Sequence, residues 1–380
     1  MEKALQLGRP YFDECEIERI KAVLNSGCWA GTCEETKVFE EKFAESVGAR
    51  YAIATTSCTT SLHAALLATG IGKGDEVLVP SFTFPATGFA VGYCQAKPVL
   101  VDVDLDTYTI NIGRIKKKIT DKTKAIMPVY AFGLPPNVDD ILEIGNDYNL
   151  KIVWDAATGL GARYHKITAG ALSDCECFSF YPSKNIATGE GGMITTDNEE
   201  IAEEARSLVD FGTTKHAKVF DKLGFNYRLS AIQAAIGICQ LEKLPKFLEA
   251  KKELAEYYKK RIREEESSLY WLCPQFEPKD VKSAWQRFVC VIQAHSSVHG
   301  KDTSDLRDKL MEFLRKEGIG CAIGTHSLAI QPYFKNDVCC PNADFLYRNT
   351  IALPLYYGMN TENVDYVIEK LLEFHTSLVK

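Results

Sequence analysis

The sequence lacks the features of a membrane, secreted or nucleic-acid-binding protein. No apolar run is long enough to cross a bilayer, and residues 1–20 alternate acidic with apolar residues instead of forming a signal-peptide core. Positive charge is not in excess either, because 44 Lys and Arg stand against 51 Asp and Glu, a formal net charge of -7. A surface without broad basic areas is poorly suited to phosphate backbones. We therefore expect neither a membrane nor a nucleic-acid partner.

Metal-ligand spacing is also missing. The 13 cysteines are scattered and odd in number. Cys175 with Cys177, and the adjacent Cys339 and Cys340, do not have C-x-x-C spacing, and no second pair completes a site. The sequence therefore predicts no metal centre. Without an export signal, we expect reduced, mostly buried thiols in a cytoplasmic protein.

The sequence does contain an alternation of short apolar runs with amphipathic stretches. The apolar runs have the length of buried strands and lie at 75–82, 97–104, 124–132 and 150–157. Helical spacing occurs at 39–48, 59–70 and 137–149. This pattern predicts an α/β fold with a mainly parallel central sheet covered by helices on both faces. Ligands of such sheets bind beyond the carboxyl ends of the strands, so functional residues are expected directly after the apolar runs.

The length of the chain predicts two domains, because 380 residues exceed what one hydrophobic core usually organises. A long helical stretch at 230–266 is interpreted as the connector. One strand and two helices are predicted after it, at 285–292, 304–318 and 363–380. We therefore expect a large α/β domain over residues 1–245 and a smaller C-terminal α+β domain over residues 246–380. It stays open whether the N-terminal segment joins the smaller domain.

A glycine-rich loop carries a lysine that packing does not explain. Lys184 follows an apolar strand, and Gly189, Gly191 and Gly192 after it allow the backbone to approach a ligand closely. Ser179, before the lysine, could reach a phosphate. Taken alone, a loop lysine is more often a solvated surface charge. This segment by itself is therefore a weak signal.

Asp155 ends the predicted strand at 150–157, where a ligand-binding edge is expected. A carboxylate in this place could pair with the pyridinium nitrogen of pyridoxal 5'-phosphate (PLP) and keep the ring an electron sink. An ordinary helix N-cap is an equal alternative, since a helical turn could follow Asp155.

Two further elements point towards the same edge of the sheet. Ser57, Cys58 and Thr59 open an alanine- and leucine-rich helix, whose free N–H groups suit a phosphate, although simple capping explains them as well. Phe84 follows a predicted strand and could stack on a ring, although most such aromatics are core residues.

In the order of these elements the chain resembles the DegT/DnrJ/EryC1/StrS family of sugar aminotransferases, which belong to PLP fold type I. The resemblance runs from about Phe39 through Tyr258 and continues more weakly to the C-terminus. Its most specific stretches are GIGKGDEVLVPSFTFPAT, CFSFYPSKNIATGEGGMITT and GFNYRLSAIQAAIG. It implies an aspartate aminotransferase-like fold and a homodimer.

The resemblance also implies residue roles. Lys184 matches the lysine that forms a Schiff base with PLP. Asp155 matches the partner of the pyridine nitrogen, and Phe84 matches the aromatic residue that stacks on the ring. Phosphate is expected at the N–H groups of Cys58 and Thr59 and at the Ser179 hydroxyl. Asn226 matches an asparagine that, in the family, the neighbouring subunit contributes to a shared active site.

Two positions depart from the family pattern, and two further positions have two possible roles. Family members often have glycine where this chain has Cys58. Where this chain has Thr158 they usually have Gln or His, which lies near the cofactor's 3'-hydroxyl. Because Thr is shorter, its contact with that hydroxyl is an open point of the resemblance. Arg228 is a candidate for a substrate carboxylate or for the subunit interface. His326 lies where relatives have a histidine segment at the sugar pocket, and a structural role is its alternative.

Together these matches predict an aminotransferase. It would move an amino group from an amino acid, L-glutamate by expectation, through pyridoxamine phosphate to the keto group of a nucleotide-linked deoxy sugar. Relatives with His at the lysine position are dehydratases, and Lys184 argues against that reaction. Amination or dehydration of another cyclic ketone, and a non-catalytic PLP-binding regulatory role, remain alternatives.

Overall fold

The computed structural model describes residues 4–170, 172–213, 219–293, 303–334 and 338–379. The strands within these residues are β1 Tyr51–Thr55, β2 Glu76–Pro80, β3 Phe82–Thr83, β4 Lys97–Val101, β5 Thr123–Ile126, β6 Lys151–Asp155, β7 Arg163–Tyr164, β8 Ile167–Thr168, β9 Cys175–Ser179, β10 Gly192–Thr196, β11 Leu272–Pro274, β12 Val281–Lys282, β13 Phe288–Ile292, β14 Ala322–Ile323, β15 His326–Ser327 and β16 Thr350–Leu353. The helices are α1 Glu14–Ser26, α2 Glu34–Val47, α3 Cys58–Ala68, α4 Pro85–Tyr93, α5 Ile112–Ile115, α6 Val138–Asp147, α7 Glu199–Val209, α8 Ala231–Glu264, α9 Glu266–Leu269, α10 Ser304–Lys316, α11 Pro341–Asn349 and α12 Thr361–Val379.

The central sheet has seven strands in the order β1-β10-β9-β6-β5-β2-β4. Strand β10 is antiparallel to both of its neighbours, while the pairs from β9 to β4 are parallel. The prediction of a mainly parallel sheet is therefore confirmed. Because parallel strands end at the same edge, the residues that follow β2, β5, β6 and β9 are brought together there.

Both faces of this sheet are buried, as the continuous apolar runs indicate. Successive residues of a strand point to opposite faces. Ile53 and Val153 accordingly pack in a core that contains α3 and α4, whereas their neighbours Ala52 and Trp154 pack in a second core with α2 and α6. The two cores hold the strand ends in fixed positions relative to one another.

A second sheet, in the order β11-β13-β16-β14, has its own apolar core. Helices α10 and α12 and the second half of α8 pack on it through residues such as Leu310, Val367 and Tyr258. The N-terminal segment also contacts this region, since the N–H of Leu5 donates to the carbonyl of Gly318 at 2.8 Å. The two-domain division stays a prediction, and these contacts favour placing the N-terminal segment with the smaller unit.

The expectation that all cysteines are reduced is wrong for this structure. Cys15 is bonded to Cys239 and Cys28 to Cys33, which leaves nine free cysteines, seven of them buried. The pair Cys15–Cys239 connects α1 to α8 across a sequence separation of 224 residues. Sequence spacing carries no information about such a contact, because it exists only after the two helices pack.

None of the helices in the described ranges combines the length and the apolar character needed to span a bilayer.

Candidate active site

The carboxyl ends of the central strands surround a cavity of about 550 Å³. Its opposite wall is formed by residues just before β13 and just after β14. Eight of the predicted site residues line it: Ser57, Cys58, Thr59, Phe84, Asp155, Thr158, Ser179 and Lys184. Residues that are far apart in the sequence are thus brought to one place, at the edge where ligands of parallel sheets bind.

Asp155 is the last residue of β6 and lies buried at the floor of the cavity. Its Oδ2 accepts a hydrogen bond from Thr87 Oγ1 at 2.7 Å, and its Oδ1 accepts one from the Ala157 N–H at 3.1 Å. Burial raises the pKa of this carboxyl, whereas the two hydrogen bonds and the charge of Lys184 lower it. Among the described residues no α-helix begins directly after Asp155, so it caps a turn and not a helix.

Helix α3 presents its N-terminus to the same cavity. The Ser57 side chain caps the helix by accepting from the Thr60 N–H. Within the described part of the chain, the N–H groups of Cys58 and Thr59 have no protein acceptor, as expected for the first turn of a helix. A Cβ at Gly192 would lie 2.5 Å from the Ser57 carbonyl carbon, so this helix start requires glycine beside it.

The cysteine at position 58 is compatible with the helix start. Cys58 is the first residue of α3 and is absent from the residues with positive φ, so its side chain introduces no backbone strain. Its thiol is buried and donates to the Cys177 carbonyl at 3.5 Å, away from the free N–H groups. The side chain therefore leaves the end of the helix available to an anion.

Lys184 lies in the loop between β9 and β10, where its N–H donates to the Tyr181 carbonyl at 2.8 Å. Burial lowers the pKa of the amine to about 8, and the charge of Arg287 acts in the same direction. Asp155 and Cys58 oppose this shift. A lysine with this pKa is about half neutral at pH 8, and a neutral amine is a nucleophile.

Three polar or aromatic residues complete the cavity wall. The Thr158 hydroxyl donates to the Tyr130 carbonyl at 2.5 Å, so its single donor is occupied by the backbone and only its lone pairs face a ligand. Ser179 Oγ accepts from the Tyr181 N–H at 3.4 Å. Phe84 is 65% exposed although it lies in the cavity, which leaves its ring open for stacking.

Three predicted residues are not part of this lining. Arg228 pairs with Asp210 and its guanidinium lies over the Phe211 ring. Asn226 forms a bridge with Asp210 at the same place. The His326 ring is 6.2 Å from the Phe84 ring and next to the cavity residue Thr325, and burial lowers its pKa. Their proposed roles remain predictions.

Four residues at the site were not predicted from the sequence. Thr87 holds Asp155, Tyr130 lines the cavity, Arg287 places positive charge near Lys184, and Lys251 adds a second amine there. Thr87 does belong to the stretch GIGKGDEVLVPSFTFPAT, but its role depends on a contact with β6 that the sequence does not show.

The residues present fit PLP. The cofactor requires an amine for its aldehyde, a carboxylate for its ring nitrogen and an anion site for its phosphate. Lys184, Asp155 and the α3 N-terminus supply one of each around a single cavity. No group of His, Cys, Asp and Glu in the described ranges could hold a metal ion.

Comparisons with known proteins agree with this arrangement. The model of the DegT/DnrJ/EryC1/StrS aminotransferase family matches residues 10–372. GDP-perosamine synthase of Escherichia coli O157:H7 is 33% identical over 376 residues, covering 98% of this chain and 99% of that one. The crystal structure of S. venezuelae DesV in complex with a ketimine intermediate matches with a TM-score of 0.87 and 29% identity, over 95% of this chain and 94% of that one. The structure of DesI in the presence of its TDP-sugar product matches with a TM-score of 0.89 and 25% identity, over 99% of this chain and 94% of that one.

Proposed function

Because this chain belongs to the DegT/DnrJ/EryC1/StrS aminotransferase family, we propose that it moves an amino group from L-glutamate to the keto group of a nucleotide-linked deoxy sugar. The family and the PLP fold-type I prediction are confirmed, and the chain is a PLP-dependent sugar aminotransferase. The nucleotide-linked substrate is supported by the relatives, a GDP-perosamine synthase and DesI with its TDP-sugar. The donor and the residue roles below are the proposal.

The proposal assigns Lys184 two tasks. PLP supplies an aldehyde, which the Lys184 amine would hold as a Schiff base, and a ring that accepts electrons during proton transfer. When it is not bound to the cofactor, the Lys184 Nζ would accept a proton from the α-carbon of the donor and return it. Its pKa of about 8 lets the same amine accept and return a proton near neutral pH.

Asp155 is proposed to hold the proton on the cofactor's ring nitrogen. Its carboxylate is fixed by the Thr87 hydroxyl and the Ala157 N–H, so little reorganisation is needed when the ring binds. The Cys58 and Thr59 N–H groups together with Ser179 would bind the phosphate, and Phe84 would cover the ring.

A homodimer with shared active sites is part of the proposal. Asn226 and Arg228 lie beside Asp210 and outside the lining of the cavity in their own subunit. Exposed apolar side chains precede them, with Phe220 69% and Leu223 84% exposed. A second copy covering this surface would account for its apolar character.

The observation that carries the proposal is the convergence of Lys184, Asp155 and the α3 N-terminus on one cavity. The test is to load the purified protein with PLP and follow its visible absorbance when L-glutamate is added. We expect the band of the lysine-bound cofactor to be replaced by that of pyridoxamine phosphate, and a nucleotide-linked keto sugar to restore it. Lys184→Ala should abolish this exchange, while Lys252→Ala, an exposed lysine on α8, should behave as wild type. An unchanged spectrum with L-glutamate and other amino acids would refute transamination.

A further inference from the structure

Arg287 is a positive charge in the cavity wall that lacks an acidic partner. It directly precedes β13 and lines the same cavity as Lys184 and Asp155. Within the described ranges its guanidinium makes one hydrogen bond, from Nη1 to the Gly324 carbonyl at 3.4 Å, and no Asp or Glu pairs with it. A guanidinium has five N–H donors, so the described residues leave most of the donor capacity of Arg287 unused.

The surroundings of Arg287 increase this imbalance of charge. Lys184 and Lys251 lie close enough that the charge of Arg287 lowers the pKa of both amines. Lys251 is buried, and its Nζ donates to neutral oxygens, to Asn185 Oδ1 at 2.7 Å and to the Gln286 carbonyl at 3.1 Å. Two basic side chains, Lys184 and Arg287, thus line the cavity, and a third, Lys251, lies next to them outside the lining.

Among the described residues, neither acidic group of the cavity lining forms an ion pair with Arg287. Asp155 is committed to Thr87 and Ala157 at the end of β6, and Glu190 is an exposed residue of the loop. Arg287 is half-buried, and withdrawing a guanidinium from water without a counter-charge costs free energy. A bound anion would remove this cost, and the planar fork of Arg is suited to a carboxylate.

Two kinds of anion reach the cavity under the proposed function, apart from the cofactor phosphate that α3 would hold. In an amino acid the α-carboxylate is attached to the carbon that bears the amine, so it lies close to Lys184 during reaction. In a nucleotide-linked sugar the phosphates are attached at the anomeric carbon and not at the reacting carbon. Gln286, the residue before Arg287, donates from Nε2 to the carbonyl of Ser183, the residue before Lys184, at 2.7 Å. Because this bond holds Arg287 next to the Lys184 loop in the same cavity lining, its place fits the group nearest the reacting nitrogen.

We propose that Arg287 binds the α-carboxylate of the amino donor. This inference rests on the proposed function and adds a specificity-determining residue to it. Arg287 serves the half-reaction that takes the amino group from the donor, because the keto-sugar acceptor has no carboxylate at its reacting carbon. The donor is thereby recognised as an α-amino acid and distinguished from simple amines.

The test compares Arg287→Met and Arg287→Lys with wild type, all loaded with PLP. The first measurement is equilibrium binding of 2-methyl-L-glutamate, which lacks the α-proton and cannot turn over, by the shift of the cofactor absorbance. We expect Arg287→Met to weaken this binding by about 10- to 100-fold, the usual loss for a charge-assisted hydrogen bond, and Arg287→Lys to weaken it less.

The second measurement uses L-isoglutamine, in which the α-carboxylate of glutamate is an amide. Wild type should prefer L-glutamate to L-isoglutamine by about 10-fold or more in the first half-reaction, and Arg287→Met should lose most of this preference. The KM for the nucleotide-linked acceptor should change little. A preference that survives in Arg287→Met, or a loss confined to the acceptor, would overturn the inference and, in the second case, assign Arg287 to the phosphates.

The carboxylate assignment and the proposed function predict different failures. If Arg287→Met retains the cofactor band and L-glutamate still bleaches it with wild-type affinity, the carboxylate assignment is wrong while transamination stands. If wild-type protein does not respond to any amino acid, the proposed function itself is wrong. Retention of the cofactor band in both variants excludes misfolding as the cause of a weaker response.

Discussion

Thr87 is a single residue through which the role of Asp155 can be examined without removing the carboxylate. Its hydroxyl donates to Asp155 Oδ2 at 2.7 Å, in the buried floor of the cavity. Without this donor the carboxylate would be less well fixed and its ionised form less stable. We therefore expect Thr87→Val to slow the glutamate half-reaction by about 10-fold and Asp155→Asn to slow it by a much larger factor. Stopped-flow absorbance measures both rates, and equal rates in wild type and Asp155→Asn would remove the carboxylate from the mechanism.

Glu176 is a single residue that should make the free energy of unfolding depend on pH. It is buried on β9, where its Oε2 accepts from the Tyr130 hydroxyl at 3.1 Å, and burial raises its pKa from 4.5 to about 7. Between these two values the unfolded chain releases the proton while the folded protein keeps it. The stability contributed by the neutral acid is thus present below pH 4.5 and is lost as the pH rises to about 7.

The neutral isostere Glu176→Gln should remove this loss. We expect it to exceed wild type in free energy of unfolding by about 1–3 kcal/mol at pH 8 and to differ little at pH 5. Urea unfolding at the two pH values measures the difference. A difference of the same size at both would mean that Glu176 is not neutral at low pH in the folded protein.

Single residues also show what the sequence alone could predict. Lys184 and Asp155 were identifiable because each lies at or just after the end of an apolar run, and the fold then places strand ends together. Arg287 and Lys251 lie in a strand flank and a long helix, with no pattern that separates them from solvated charges. Their proximity to Lys184 depends on how the second sheet packs against the first, which no local signal encodes.

At the scale of elements, the disulfide between α1 and α8 is the feature with the largest expected effect on stability. Cys15–Cys239 closes a loop of sequence separation 224, whereas Cys28–Cys33 closes one of separation 5. In the chain-entropy model these loops stabilise the folded state by about 5 and about 2 kcal/mol.

The two disulfides therefore serve as matched controls for one another. Replacing Cys15 and Cys239 by Ser should lower the free energy of unfolding by about 3 kcal/mol more than replacing Cys28 and Cys33. Urea unfolding measures both. Thiol counting in denaturant should give nine groups before reduction and all 13 after it; a count of 13 without reductant would show that the bonds do not form.

The elements themselves were largely predictable. The periodic runs at 59–70 and 137–149 correspond to α3 and α6, with ends displaced by one or two residues, because caps such as Ser57 and Asn137 fix the first turn. The short strands β3 and β15, which pair with each other, were not predicted, since two-residue strands have no periodicity to detect.

At the scale of the whole molecule, the proposed dimer predicts that activity depends on two chains. If Asn226 acts in the neighbouring subunit, mixing Lys184→Ala with Asn226→Ala should restore activity, because one site of each mixed dimer then contains both native residues. Each variant alone is the control, and mixtures no more active than the sum of their components would argue against shared sites.

Leu223→Asp tests the surface on which that dimer is expected to form. The side chain is 84% exposed, so in a free monomer the change should cost little stability. In a dimer that covers it, the charge should shift the sedimentation coefficient to that of a monomer of 42.4 kDa. Leu378→Asp, an exposed position at the end of α12, should leave assembly unchanged.

The bonds between Leu5 and the residues Gly318 and Gly320 have a consequence for biosynthesis. A ribosome completes Leu5 long before its partners, so the N-terminal segment has to wait, unpaired, while the α/β layers assemble behind it. The pairing of Leu5 with the residues just before β14 is then a late step of folding. In chains whose synthesis stalls before Gly320, the N-terminal segment would stay free to form hydrogen bonds with the edges of other sheets.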